Sequence, residues 1–468
     1  MPEAICWLRA KQIGSHPLPA QNKTSAKTKR KKPSRWRSSN PDFRHRANLP
    51  APPVAEIETR LRSVLTPALF APGRMPGTWK LRNRLLTLPA MMAIVVSLVW
   101  RQIPSLAEVL RILDREGLLW QPVLKVTRQA LSKRLARLPV ALFASLFDQV
   151  VGAIQNSQSS QLAPPAPSPA LASVRERFSA LWIADGSTLD ALKKTLDELK
   201  EHKLSLGGKI MMVVDAWTHQ PVKTFYTSQS KANDRTFGQP LIQQLPVGGL
   251  LIFDLGFFSF PFFDAFTAGK KFFLTRLRQT TGFERVSLLA QGPHYRDEII
   301  RVGLRSDYPC QHEIRMVSIL WNRTWYRYLT NVLDPEKLSA RQVGELYRRR
   351  WRIEEAFLLT KRLLGLSYLW VGGRNGVQIQ IYATWIFYAV LVDVCRQVAV
   401  ALSQPQDGIS VEMVFRSFYH FSRACEKDPL TQLIPFLAAH AKLFGLVKAF
   451  TKRQRMIQQQ LEVIWMPP

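Results

Sequence analysis

The chain has 468 residues, 46% of them apolar, and a formal net charge of +31. That apolar content supports a sizeable buried core and excludes global disorder, while the length admits about two to four domains. A balance this basic points to a polyanionic partner, either nucleic acid or an anionic membrane surface.

Residues 1–50 hold 12 Lys/Arg against 2 Asp/Glu, a net of +10 that leaves +21 on residues 51–468. The folded body must therefore be basic too. The run KTKRKKPSRWR within residues 23–46 carries too little apolar surface to fold alone. It reads either as a disordered basic arm lying on phosphate or as a solvated extension. No signal-peptide core is present at the N-terminus, so a cytoplasmic, DNA-associated protein is expected. Cys6, Cys310, Cys395 and Cys425 lack the close spacing of a zinc or redox motif and read as reduced thiols.

Residues 54–154 read as helical. Ser105 and Glu108 open one helix, which Gly117 ends. Thr127 opens a second, basic helix that Pro139 stops. This order is either helix-turn-helix-like, and so DNA-binding, or an ordinary amphipathic pair. The apolar runs 85–100 and 379–395 are too short or too interrupted to span a membrane and suit buried helices. Residues 155–172, rich in Gln, Ser and Pro, are expected to be a linker and a domain boundary.

Beyond it, residues 173–400 predict an α/β layer. The run 181–184 is a short strand ending at Asp185, followed by Gly186 and Ser187. Two further strands, a helix, the strand LLIF ending at Asp254, another helix and the strand KFFLTRLR follow in order. Acids at strand ends can meet at a sheet edge, although Asp-Gly after a strand is often only a turn. Residues 279–332 read as mostly β, with a hairpin turn near residues 321–323. Helices dominate from Ser339, including residues 401–468.

Ser339 and Gln342 form a capping box, so one helix is expected from Ala340 through residue 366. On it Tyr347, Arg350, Glu354 and Lys361 fall within an arc of about 60° at helical spacing. Leu346, Ile353, Phe357 and Leu364 form an adjacent apolar seam. Glu355 points about 100° away from Glu354. An ion-paired surface helix also carries such charges, but does not explain one acid sharing a face with two cations and a tyrosine.

The four residues Tyr347, Arg350, Glu354 and Lys361, with DGS at 185–187, DLGFF at 254–258 and YLTNVLD at 328–334, resemble the DDE transposases of bacterial insertion sequences. Specifically, they resemble the group named for a Tyr-Arg-Glu-Lys signature. The resemblance spans residues 181–370 well and residues 1–50 not at all. It implies an RNase H-like mixed sheet core with a β-rich insertion at about 279–332, preceded by a helical N-terminal domain. It implies that Asp185, Asp254 and Glu354 are the catalytic acids and hold two Mg²⁺ ions, with Mn²⁺ able to substitute. The expected partners are DNA, as terminal repeats and target, and a second copy of the chain; no membrane is expected. Oxygen ligands suit Mg²⁺, which fits a chain without a His/Cys cluster. Tyr347, Arg350 and Lys361 are then expected to hold DNA, with Arg276 and Arg278 either joining them or lying on an exposed strand face. Trp321 and Trp325 either stack on an extruded base or pack the hairpin. A catalytically silent, transposase-derived DNA-binding protein is the competing reading, and Asp215 is a possible substitute acid.

Overall fold

The computed structural model describes residues 54–65, 85–189, 208–366 and 374–449, apart from residues 104, 160, 167, 305 and 322. The basic arm expected at 1–50, with Cys6, lies outside the described residues, as does the end of the C-terminal region.

Among the described residues the chain begins with helices α1 (Ala55–Val64), α2 (Leu88–Trp100), α3 (Leu106–Arg115), α4 (Arg128–Arg137) and α5 (Val140–Ser159). Their starts follow the sequence closely. The hydroxyls of Ser105 and Thr127 accept from the amides of Glu108 and Ala130, satisfying donors the helix leaves open. Gly117 takes a left-handed φ of 75° just past α3. After the short α6 (Val174–Arg177), the α/β layer contains β1 (Leu181–Leu189), β2 (Gly208–Asp215), β3 (Pro221–Thr227), α7 (Gly238–Gln244), β4 (Leu250–Phe253), α8 (Phe260–Ala268) and β5 (Phe272–Arg276). Four more strands follow: β6 (Phe283–Gly292), β7 (Tyr295–Val302), β8 (Ile314–Trp321) and β9 (Thr324–Thr330). Helices α9 (Ala340–Arg349), α10 (Trp351–Arg362), α11 (Arg374–Ala401), α12 (Val411–Lys427) and α13 (Leu433–Ala439) close the chain.

All nine strands form one mixed sheet in the order β3-β2-β1-β4-β5-β9-β8-β7-β6. β1 is antiparallel to β2 and parallel to β4, and β4 is parallel to β5. The β-rich segment is thus continuous with the sheet, because β9 pairs antiparallel with β5. β8 and β9 form a hairpin that turns at Arg323, whose φ is 63°.

Two apolar clusters flank the sheet. One is aromatic and sits under β4 and β5, where Phe253 packs against Phe257, Phe262, Phe263, Phe266 and Phe273 at centroid separations of 5.4–6.4 Å. Such pairs add about 0.5–1.5 kcal/mol each beyond area burial, and they pin the end of β4. The other cluster runs from Val54 to Leu446. It contains α11, on which α2 and α5 pack through Trp100 against Phe387 and Phe147 against Tyr382.

Two expectations about the organisation change. The linker expected at 155–172 begins inside a helix, since α5 runs to Ser159. The boundary expected there separates stretches of chain but not cores: the helices before the sheet and those after it share one apolar cluster. α11 itself is long and apolar enough to cross a membrane by composition alone, and 83% of its most apolar window is buried inside the fold.

Candidate active site

Asp185 was expected at a strand end. Instead β1 continues four residues past it to Leu189, because β2 pairs with β1 along its whole length, with Asp185 opposite Met212. The parallel partner β4 stops earlier, at Ala184 opposite Phe253. Asp185 and Asp254 therefore occupy equivalent positions just past the last parallel pair, side by side on neighbouring strands. Each carboxylate is oriented by the next backbone amide. Gly186 N donates to Asp185 Oδ1 at 2.8 Å, and Leu255 N donates to Asp254 Oδ1 at 2.7 Å.

The helix carrying the third acid is not continuous. The capping box at Ser339 and Gln342 forms in both directions, but α9 ends at Arg349 and α10 begins at Trp351. At the join, Arg350 N donates to Tyr347 O and Ile353 N to Arg350 O, both three residues back. These tighter i→i−3 bonds pinch one turn without leaving helical dihedrals. The four face residues still converge on the strand ends. Tyr347 Oη donates to Asp254 Oδ1 at 3.4 Å. Arg350 donates to Asp185 Oδ2 at 3.1 Å and to Glu354 Oε1 at 3.0 Å. Lys361 Nζ donates to Ser187 Oγ and to Thr188 O, on the overrunning end of β1.

Arg350, 4% exposed, sits between two carboxylates and against the ring of Trp351. Burial opposes its charge, yet Tyr347, Asp254, Asp185 and Glu354 together push its pKa up. Burial pushes the Asp185 carboxyl up to about 7, against the pull of Arg350 and helped by Glu354 and Asp254. Glu354 is likewise raised, first by burial, with Arg350 opposing and Asp254 adding. Three acids thus share one pocket of charge with a single guanidinium among them. As the side chains stand, no three His, Cys, Asp or Glu groups among the described residues converge closely enough to grip a metal ion. The donor set is nonetheless all oxygen and in net carboxylate excess, which suits Mg²⁺ or Mn²⁺.

The other expected residues divide. Arg276, at the end of β5, is close enough to act electrostatically on Tyr347 and Tyr328, and lies 5.9 Å over the Tyr326 ring. Arg278 is exposed and stacks 5.1 Å over Phe258. Trp321 is buried in the larger cluster, whereas Trp325 is half-open beneath Arg296 at 5.3 Å. Asp215 closes the β2–β3 turn, accepting from Trp217 N, Thr218 N and Thr218 Oγ1. Glu355 turns away to Arg352 and Lys448, at 3.1 and 2.7 Å.

Sequence reasoning missed Asp234. It follows β3 in the one-turn segment Asp234–Phe237 and reaches the backbone beside both aspartates. No local pattern signals it, because its contacts depend on how that segment packs on the loop after β4.

The chain is 25% identical over 263 residues to "Putative transposase y4zB" of Sinorhizobium fredii, covering 55% of this chain and 68% of that protein. It is 24% identical over 166 residues to "Putative transposase for insertion sequence element IS4SA" of Synechocystis, covering 34% of this chain and 46% of that one. A solved piggyBac transposase synaptic complex with hairpin DNA shares 85% of each chain at 11% identity, with a TM-score of only 0.33. Residues 180–390 match the family described as the transposase DDE domain. Over that span the chain is similar to the transposase DDE domain.

Proposed function

We propose that the chain is a DNA transposase that cuts and joins the ends of an insertion sequence, with Asp185, Asp254 and Glu354 as its catalytic carboxylates. The observation that carries this reading is one helix pair joining both aspartates to Glu354, through Tyr347 and Arg350. The strand order β3-β2-β1-β4-β5, with two antiparallel pairings followed by two parallel ones, supports an RNase H-like core with the β6–β9 segment as its insertion. The spacing of Tyr347, Arg350, Glu354 and Lys361 supports membership of the Tyr-Arg-Glu-Lys group.

Asp185, Asp254 and Glu354 would hold two Mg²⁺ ions, or Mn²⁺ in their place. Bound there, the ions supply charge stabilisation to the attacking and leaving oxygens of a phosphodiester. For the carboxylates to take them, Arg350 must give up at least one of its two contacts. Its freed guanidinium then suits a phosphate bidentately. Lys361, held over the end of β1, and Arg276, beside Tyr347, extend that cationic surface along a DNA backbone. Tyr347 stays neutral, since burial, first of all, raises its pKa, so it orients Asp254 as a donor and does not act as a base. The basic helix α4 and a pairing of two copies are further parts of this reading, since two element ends must be brought together.

The test is Mg²⁺- or Mn²⁺-dependent cleavage of DNA bearing the matching element ends. Asp185→Ala, Asp254→Ala and Glu354→Ala should each bind that DNA and fail to cut it. Cutting at the wild-type rate by Glu354→Ala would refute the assignment.

A further inference from the structure

Glycine follows each of the two aspartates, as Gly186 directly after Asp185 and as Gly256 two residues after Asp254. Neither adopts the left-handed φ that only glycine takes easily, so the backbone alone does not demand them. The nearest obstacle to a side chain at both positions is the same group, with Lys209 Cε 3.0 Å from the Gly186 position behind it. A Cβ on Gly186 would collide with Oδ1 of Asp234, and a Cβ on Gly256 would lie 2.5 Å from Oδ2 of the same carboxylate. The two oxygens of Asp234 thus fill the two spaces that the glycines leave open.

Asp234 is itself held. Lys209, from β2, places Nζ 2.6 Å from Oδ1 and donates to Ala232 O. The neighbouring Arg235 donates to Phe258 O at 2.6 Å, tying the segment to the loop after β4. The Asp185 and Asp254 carboxylates hang from the amides of Gly186 and Leu255. Whatever fixes the gap between these two backbones fixes the gap between the two acids.

We propose that Asp234 is a positioning residue, a wedge between Gly186 and Gly256 that sets the spacing of Asp185 and Asp254 and hence their affinity for divalent ions. This rests on the reading of those two aspartates as metal ligands. It assigns Asp234 no contact with metal or DNA. The carboxylate acts by shape and by its anchor on Lys209.

The experiment measures Mn²⁺ binding to the full chain without DNA, from the electron paramagnetic resonance signal of free Mn²⁺, with thermal unfolding in parallel. Groups that orient metal ligands typically change affinity about 10–100-fold when removed. Asp234→Ala should weaken Mn²⁺ binding by about that factor. Gly186→Ala, which evicts the same carboxylate, should do likewise. The double variant Gly186→Ala/Asp234→Ala should be no weaker than Asp234→Ala alone, since the methyl then occupies vacated space. Asp234→Asn keeps the shape and should recover most of the affinity. Gly186→Ala keeps Asp234 in the chain and decides the matter even if Asp234→Ala fails to fold. Wild-type affinity in Asp234→Ala or Gly186→Ala would overturn the proposal, as would a loss in Asp234→Asn equal to that in Asp234→Ala. Asp185→Ala separates the two readings. If it abolishes Mn²⁺ binding while Asp234→Ala keeps wild-type affinity, only the wedge falls; if it leaves binding intact, both fall.

Discussion

Arg350 and Asp185, 165 residues apart in the chain, meet at 3.1 Å with only 4% of Arg350 exposed. Removing one partner of a buried pair leaves the other charge uncompensated, at a cost of about 3–5 kcal/mol. Arg350→Ala should therefore lose stability of that order in denaturant unfolding. It should also lower DNA cleavage by about 100-fold (about 2.7 kcal/mol). Arg350→Lys keeps a charge but not the fork, and should recover stability in part while cutting poorly.

Glu354 and Glu355 make opposite predictions. Glu354→Gln should abolish cutting with little change in unfolding midpoint, since this acid is 40% exposed at the side chain. Glu355 bonds Arg352 and Lys448, and its pKa is lowered by them against burial. Glu355→Gln should cost about 1–2 kcal/mol of stability and leave cleavage per folded molecule near wild type.

A second buried ionic cluster predicts pH dependence. His219 lies 2.5 Å from Asp407, which Arg349 also contacts at 3.1 Å. Burial lowers the His219 pKa below its usual value even with Asp407 beside it. The unfolded chain then takes up a proton near pH 6.5 that the folded chain refuses, so stability is lost as pH falls below about 6.5. Asp407 is depressed, with burial overcome by Arg349 and His219. Its contribution is present above its unfolded value and goes as pH falls through its lower folded one. Thermal midpoints should drop between pH 7 and 5, and His219→Gln should flatten that slope.

The β6–β9 segment is fastened to the helix pair by Arg315, which is fully buried. It grips Asp297 at 2.7 and 2.6 Å and donates to Leu338 O at 2.6 Å, just before α9. Asp297→Ala should cost about 3–5 kcal/mol, and cleavage should fall with stability because Leu338 precedes the helix that carries Tyr347.

The strands, helix starts and face of α9–α10 were legible in the sequence because each rests on local periodicity or a local cap. Ser339 with Gln342 announces its helix within four residues. The overrun of β1 past Asp185 was not legible, since it depends on how far β2 pairs alongside it. Nor was the pinch at Arg350, where the sequence remains helix-forming and only a few hydrogen bonds shorten. Asp234 escaped for the same reason: its importance lies in two glycines 48 residues before it and 22 after it. The opposite headings of Glu354 and Glu355 were readable, because one residue of helix is a rotation of about 100°.

The apolar cluster around α11 carries a consequence for how this chain can be divided. A protease that nicks between Ser159 and Val174 would make two polypeptides but not two bodies. Trp100 and Phe147 would stay seated on α11, and Gln158 and Arg60 would still reach Asp393 and Gln397. The fragments should co-migrate in native conditions and separate only in denaturant. An ancestor of this chain could not have exchanged its first helices for a foreign set at that seam without also rebuilding the far end of the protein.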